Sequence, residues 1–173
     1  MNPVNCQYDR HGEAIRAIFN DAILNSTALY DYRPRDESVV EAWFQAKANG
    51  SFPILGMETD DGELMGFASF GPFRAFPAYK YSVEHSVYVD GRFRRQGVAR
   101  KLMVALIEAA QRAEYHMMIG GIDAANAASV ALHKDLGFVH CATIREAGFK
   151  FGRWLDLEFY QLILPTPARP VDG

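Results

Sequence analysis

Two stretches of this 173-residue chain hold side chains whose types and spacing suit chemistry. The first, RFRRQGVARKLM, sets Arg92, Arg94, Arg95, Arg100 and Lys101 around Gly97, in a chain whose formal net charge is -3. Cations gathered locally in an acidic chain point to an anionic ligand. The second, YSVEHSVYV, places a carboxylate beside an imidazole, Glu84 and His85. A carboxylate can take a proton from a nucleophile, directly or through water. Adjacent strand residues point to opposite faces, so Glu84 and His85 form no simple dyad. A solvated strand carboxylate is the plainer alternative for Glu84. The valines around it argue for a central strand, where a carboxylate is less common.

These residues need elements to hold them. Alternation over 81–89 predicts a strand with Val83, His85, Val87 and Val89 on one face and Ser82, Glu84, Ser86 and Tyr88 on the other. The basic stretch follows at once and leads into a helix from about Gln96 to Ala113. Upstream, VNCQY reads as a short first strand, and Ile15, Ile18, Phe19, Ala22 and Ile23 give a helix over 11–25 with Asp9 as its cap. Ser38 to Glu41 reads as a capping box that opens a second helix, stopped at Asn49-Gly50. FPILGME and ELMGFASFG flank the turn Thr59 to Gly62 as a hairpin. Downstream come the strand YHMMIGGID, the helix NAASVALHKDLG closed by Gly137, and the strands FVHCATIRE and RWLDLEFYQLIL. The order β-α-α-β-β-β-α-β-α-β-β predicts an α/β protein, a mixed central sheet flanked by helices. It is expected to form one domain over residues 1–165, followed by a loosely held tail at 166–173.

Composition narrows the function classes. Mild acidity argues against general nucleic-acid binding. Cys6 and Cys141 form no C-x-x-C pair, so two reduced thiols in a cytoplasmic protein are expected. No signal pattern opens the chain, and no apolar run suits a membrane span. His11, His116 and His140 have no pairing or ligand spacing, and no metal is expected.

Between a strand and a helix the basic stretch gains meaning. A helix start offers unused N–H groups and partial positive charge, and Gly97 lets an anion approach the backbone. Together these make a phosphate site, with Arg94, Arg95 and Arg100 as charged partners. A solvated basic helix start fits the six residues alone equally well. Neither a P-loop nor the dinucleotide G-x-G-x-x-G is present. The run Arg94-Arg95-Gln96-Gly97-Val98-Ala99 matches [Q/R]-x-x-G-x-[G/A], and so resembles the coenzyme A loop of the GCN5-related N-acetyltransferases (GNAT). YDYRP, FRAFPAYKYSVEHSVYV, LHKDLGF and GFKFGRWLDLEFYQL extend the likeness over residues 10–165. These segments resemble one branch, the phosphinothricin and methionine sulfoximine/sulfone N-acetyltransferases.

The resemblance implies the GNAT (acyl-CoA N-acyltransferase) fold and acetyl-CoA as cosubstrate. It implies transfer to the α-amine of a small amino-acid-like molecule, with Glu84 as general base. It assigns the backbone of Val87, Tyr88 and Val89 to the pantetheine arm, which can add to a strand edge like a pseudo-strand. Arg95, Gln96, Gly97, Val98, Ala99 and Arg100 fall to the pyrophosphate; Ala99 stands where the family often has glycine. Asn126 falls to a pantetheine amide, with Ser129 a weaker candidate; a plain helix cap is the alternative for Asn126. His133 is a candidate acid or second base, or a helix histidine filling space. Arg74, Ala75 and Phe76, with Glu84, His85 and Ser86, are placed at the substrate. An arginine there suits a carboxylate, and Phe76 with Tyr30 and Tyr32 suits an apolar side chain; sealing the core is the alternative for those aromatics. Lys150 and Trp154 lie where the branch has a homodimer interface near the pocket. Two other readings stand beside this one. The same chemistry on a polyamine or protein N-terminus would not want Arg74. A CoA-binding sensor without turnover would not need Glu84.

Overall fold

The computed structural model of the chain describes residues 1–172. Its elements follow the expected order: β1 (Asn2–Asn5), α1 (Tyr8–Asn25), α2 (Glu37–Asn49), β2 (Ile54–Glu58), β3 (Leu64–Pro72), β4 (Ser82–Val89), α3 (Val98–Arg112), β5 (Met117–Asp123), α4 (Ala127–Asp135), β6 (Val139–Lys150) and β7 (Arg153–Ile163). The strands form one mixed seven-stranded sheet, ordered β1-β2-β3-β4-β5-β7-β6. β4 and β5 pair in parallel. The pairs β1–β2, β2–β3, β5–β7 and β6–β7 are antiparallel.

Element starts differ most from expectation. α1 begins at Tyr8, with Gln7 in the cap position and no side-chain cap; Asp9 sits in the first turn instead. There its charge suits the positive end of the helix. α2 is capped by Asp36, whose Oδ1 accepts from the Val39 N–H at 3.0 Å. Ser38 is already inside the helix and donates its hydroxyl to Asp36 at 2.7 Å. An aspartate that reaches the third helical N–H is as good a cap as serine, so the box shifts upstream. α3 starts at Val98 because Arg95 and Gly97 hold φ values of 62° and 80°, outside any right-handed helix. β6 runs on to Lys150, and Phe151-Gly152, both at positive φ, turn the chain into β7.

Contacts divide the chain into two compact units, Met1–Gly71 with Ser86–Leu106, and Pro72–His85 with the chain from Ile107 onward. The first has a core of Ile15, Ile18, Phe19, Val40, Ile54, Leu64 and Phe67, against which Trp43 and Tyr88 pack. Phe19 meets Phe67, Trp43 and Tyr88 edge to face at 4.9, 5.2 and 5.2 Å. His11, expected to be unpaired, is buried in this unit. Its Nε2 lies 3.0 Å from Glu58 Oε1, and Arg10 donates to Glu58 Oε2 at 2.8 Å. Two buried polar groups, His11 and Glu58, thus satisfy one another, with the exposed Arg10 on the second carboxylate oxygen.

The second unit buries Val83, Met118, Phe138, Leu155 and Tyr160. After β7 no regular element appears among the described residues, yet the chain there makes specific hydrogen bonds. Thr166 Oγ1 donates to the Tyr115 carbonyl, His116 Nδ1 meets the Thr166 carbonyl at 2.8 Å, and the Val171 N–H donates to Tyr81 Oη at 3.1 Å. Phe67 is fully buried at the centre of the aromatic group. Phe67→Ala should cost about 3–5 kcal/mol of unfolding free energy, read from chemical denaturation.

Candidate active site

The basic loop is built by its own charges. Asp90 Oδ1 accepts from the Arg92 N–H and caps the short 3-10 turn Gly91–Phe93. The Arg92 side chain bonds Asp90 through Nε and Nη2, at 3.0 and 2.7 Å, and Glu63 through Nη1 at 2.5 Å. Arg94, expected as a charged partner for the anion, donates to Asp21 at 2.9 Å in an ion pair at the surface. Arg95 makes no hydrogen bond or ion pair among the described residues, and its side chain is exposed. Its left-handed backbone, with that of Gly97, turns the loop into the start of α3. The Lys101 N–H donates to the Gly97 carbonyl at 3.1 Å, which makes Gly97 the helix cap. A Cβ built on Gly97 would meet nothing within 4 Å. Glycine is therefore set there by its φ, and the backbone faces open space. Unused N–H groups in a left-handed turn before a helix form an anion cradle, and these residues fit a pyrophosphate. Val98 points its side chain into the core, so its backbone alone can serve a ligand.

β4 carries the titratable pair. The parallel ladder to β5 is short: Ser82, Val83 and Glu84 face Met117, Met118 and Ile119, and the register stops there. Glu84 is half-buried. Burial raises its pKa above the ordinary carboxylate value, and the Arg74 guanidinium opposes that rise. The carboxylate lies beside Gly121, where a Cβ would stand 3.6 Å from Oε1, with Leu157 and Phe159 at 3.3 and 3.5 Å. Arg74 is exposed, lies over the Phe73 ring at 4.3 Å and donates to the Phe73 carbonyl at 2.8 Å. The structure thus brings Arg74 within electrostatic reach of Glu84. Ser86 is half-buried, Ala75 is exposed, and Phe76 is 75% exposed. Phe76 therefore does not seal a core. Tyr32 is exposed as well, while Tyr30 is half-buried.

α4 is capped by Asn126, whose Oδ1 accepts from the Ser129 N–H at 3.1 Å. The cap uses only the oxygen, and its Nδ2 makes no hydrogen bond among the described residues. His133, one turn on from Ser129, is almost fully buried, and its Nδ1 donates to the Ser129 carbonyl at 2.7 Å. Its Nε2 lies 3.1 Å from His85 Nε2. Burial lowers the pKa of His133, and burial with His133 nearby pushes His85 down to about 3.

Two functional positions escaped the sequence reading. Gly120 and Gly121 stand together inside β5. A Cβ at Gly120 would lie 2.5 Å from His85 Nε2 and 3.2 Å from His133 Nε2. Gly120 makes room for the imidazoles, while a Cβ at Gly121 would stand in ordinary contact with Glu84 and tightest against Leu157. The signal was present in MMIGGID, since glycine inside a strand often marks a close approach.

The model of the Acetyltransferase (GNAT) family matches residues 15–138. The chain belongs to this family. An L-methionine sulfoximine/L-methionine sulfone acetyltransferase of Pseudomonas paraeruginosa is 45% identical over 157 residues, 90% of this chain and 91% of that relative. A phosphinothricin N-acetyltransferase of Alcaligenes faecalis is 34% identical over 86% of this chain and 75% of the relative. Among solved structures, yncA of Salmonella typhimurium, determined with its cofactor acetyl-CoA, superposes with a TM-score of 0.94 at 40% identity, covering 99% of this chain and 98% of that one. The mixed seven-stranded sheet with four helices is the GNAT fold, and the chain is an N-acetyltransferase. Within this GNAT chain, Gly97→Ala should lose about 1–2 kcal/mol, from left-handed strain alone, because no atom stands in the way. Thermal or urea unfolding measures it.

Proposed function

We propose that this N-acetyltransferase moves an acetyl group from acetyl-CoA to the α-amine of a small amino-acid-like substrate of the methionine sulfoximine, methionine sulfone or phosphinothricin type, with Glu84 as general base. The observation that carries this reading is the half-buried Glu84 carboxylate, its proton affinity raised by burial, at the residue where the β4–β5 ladder stops and within reach of Arg74. The names of the relatives supply the substrate class.

Acetyl-CoA supplies the acetyl group as a thioester. The Arg95–Arg100 turn supports its pyrophosphate with backbone N–H groups and the unpaired Arg95 guanidinium. Val87, Tyr88 and Val89 offer backbone to the pantetheine arm, and Asn126 Nδ2 offers a donor. Arg74 holds the substrate carboxylate through the guanidinium nitrogens that Phe73 does not engage. An ammonium has no lone pair, so the amine must lose a proton before it can attack; Glu84 accepts it, directly or through water. Arg74 has a second effect, since it keeps Glu84 ionised against the pull of burial. A homodimer belongs to the same reading. It is supported by β6, an edge strand that exposes Val139, Ile144 and Phe149. Sedimentation should then give twice the 19.4 kDa of one chain.

Free-thiol release from acetyl-CoA against a panel of amines tests the function. Turnover confined to the sulfoximine, sulfone and phosphinothricin amino acids is expected; turnover on a polyamine or peptide alone would overturn the substrate class. Glu84→Gln should lower kcat roughly 10²–10⁴-fold. In the wild type, kcat/KM should fall as pH drops through the raised pKa of Glu84, because the base must be ionised. Arg74→Ala should raise KM for amino acids and move this acidic limb to higher pH, since it removes the charge that lowers the Glu84 pKa. An unmoved limb would sink the assignment of Glu84.

A further inference from the structure

The two buried imidazoles fix one another's protons. The Ser129 carbonyl can only accept, so His133 Nδ1, 2.7 Å away, must carry a hydrogen. Burial keeps His133 neutral, which leaves its Nε2 a bare acceptor. The Nε2 atoms of the two rings are 3.1 Å apart while the ring centroids are 5.0 Å apart and the planes differ by 19°. The planes are therefore close to parallel, and the two Nε2 atoms stand within hydrogen-bond distance of each other. One proton must lie between them, and it belongs to His85 Nε2. His85 is neutral too, so its Nδ1 is a bare lone pair. That atom is buried, in a residue only 8% exposed, and it has no protein partner among the described residues. A buried acceptor left unmet loses the hydrogen bonds it had to water and gains none in return. Phe138 presses on both rings, at 5.4 Å from His85 and 5.1 Å from His133, and the missing Cβ of Gly120 gives the contact its room.

We propose that His85, and not His133, presents the working nitrogen of this pair: His133 is a positioning residue that holds His85 in its Nε2–H tautomer, so that His85 Nδ1 accepts a hydrogen bond from an N–H or O–H group brought by the bound coenzyme or by an ordered water. The hydrogen bonds run one way, from His85 Nε2–H to His133 Nε2, and from His133 Nδ1–H to the Ser129 carbonyl. His133 has no proton to spare in this arrangement; donating from Nε2 would require an imidazolium that its burial opposes. The open end of the chain is an acceptor, one residue along β4 from Glu84 and on the opposite face. The coenzyme as donor rests on the acetyltransferase reading, while the tautomers do not.

Long-range ¹H–¹⁵N correlation on protein labelled with ¹⁵N-histidine reads this directly. In the wild type near neutral pH, His133 should carry its proton on Nδ1 and His85 on Nε2, with both rings uncharged. A proton on His133 Nε2, or a charged ring in either residue, overturns the proposal. His133→Gln, whose Oε1 can accept from His85 Nε2, should keep the His85 tautomer, and His133→Leu should lose it. An unchanged His85 spectrum in both variants overturns the positioning role, and the wild-type spectrum decides the tautomers even if a variant fails to fold. Added coenzyme A separates the donors. A His85 Nδ1 resonance that becomes hydrogen-bonded only with coenzyme identifies the coenzyme, and one already hydrogen-bonded without it identifies water. A resonance free in both states overturns the acceptor role. Turnover of the amine panel, measured separately, shows whether the acetyltransferase reading stands when this one falls.

Discussion

Along β4, successive side chains must leave the backbone on opposite faces, and this places a carboxylate and an imidazole back to back. Glu84 emerges on one face and His85 on the other, each half or fully removed from water. His85 could not be tolerated in the sheet without space beside it. The space comes from β5, whose Gly120 omits a Cβ that would collide with the imidazole. A pair of glycines inside a strand weakens the strand, and here the antiparallel partner β7 compensates by pairing with β5 along its whole length, Met117 to Asp123.

The same economy governs the basic loop. Its charges divide between construction and recognition. Arg92 and Arg94 are consumed by Asp90, Glu63 and Asp21, and these bonds hold the turn in a conformation that places Arg95 and Gly97 at positive φ. A flexible loop would lose conformational entropy on binding an anion. A loop already fixed by ion pairs has lost it beforehand.

Much of the fold was legible because periodicity and turn chemistry agree. The eleven elements appear in the order that alternation and helical spacing predict, and Gly62 and Gly137 take the positive φ that their turns demand. The errors lie at helix starts, where aspartate and serine compete for the same N–H groups; Asp36 displaces Ser38 because of one local hydrogen bond. The tail shows a different limit. Prolines signal the absence of helix and strand, but they are silent on whether Thr166 and Val171 find partners at Tyr115 and Tyr81.

Sequence by itself determined the type of protein, since the strand, the glycine turn, the arginines and the helix are consecutive, and local order fixes what consecutive residues can form. It also determined that Glu84 and His85 must face apart, because the pleat allows nothing else. Tertiary structure alone decided which cations stay available, where Glu84 finds its burial and its arginine, and which nitrogen of the histidine pair carries a proton. His85 and His133 are 48 positions apart, and their 3.1 Å contact depends on the Ser129 carbonyl and on an absent methyl at Gly120. Tautomers and pKa values are set by the few atoms nearest a group, and those atoms come from strands and helices that the chain brings together only on folding.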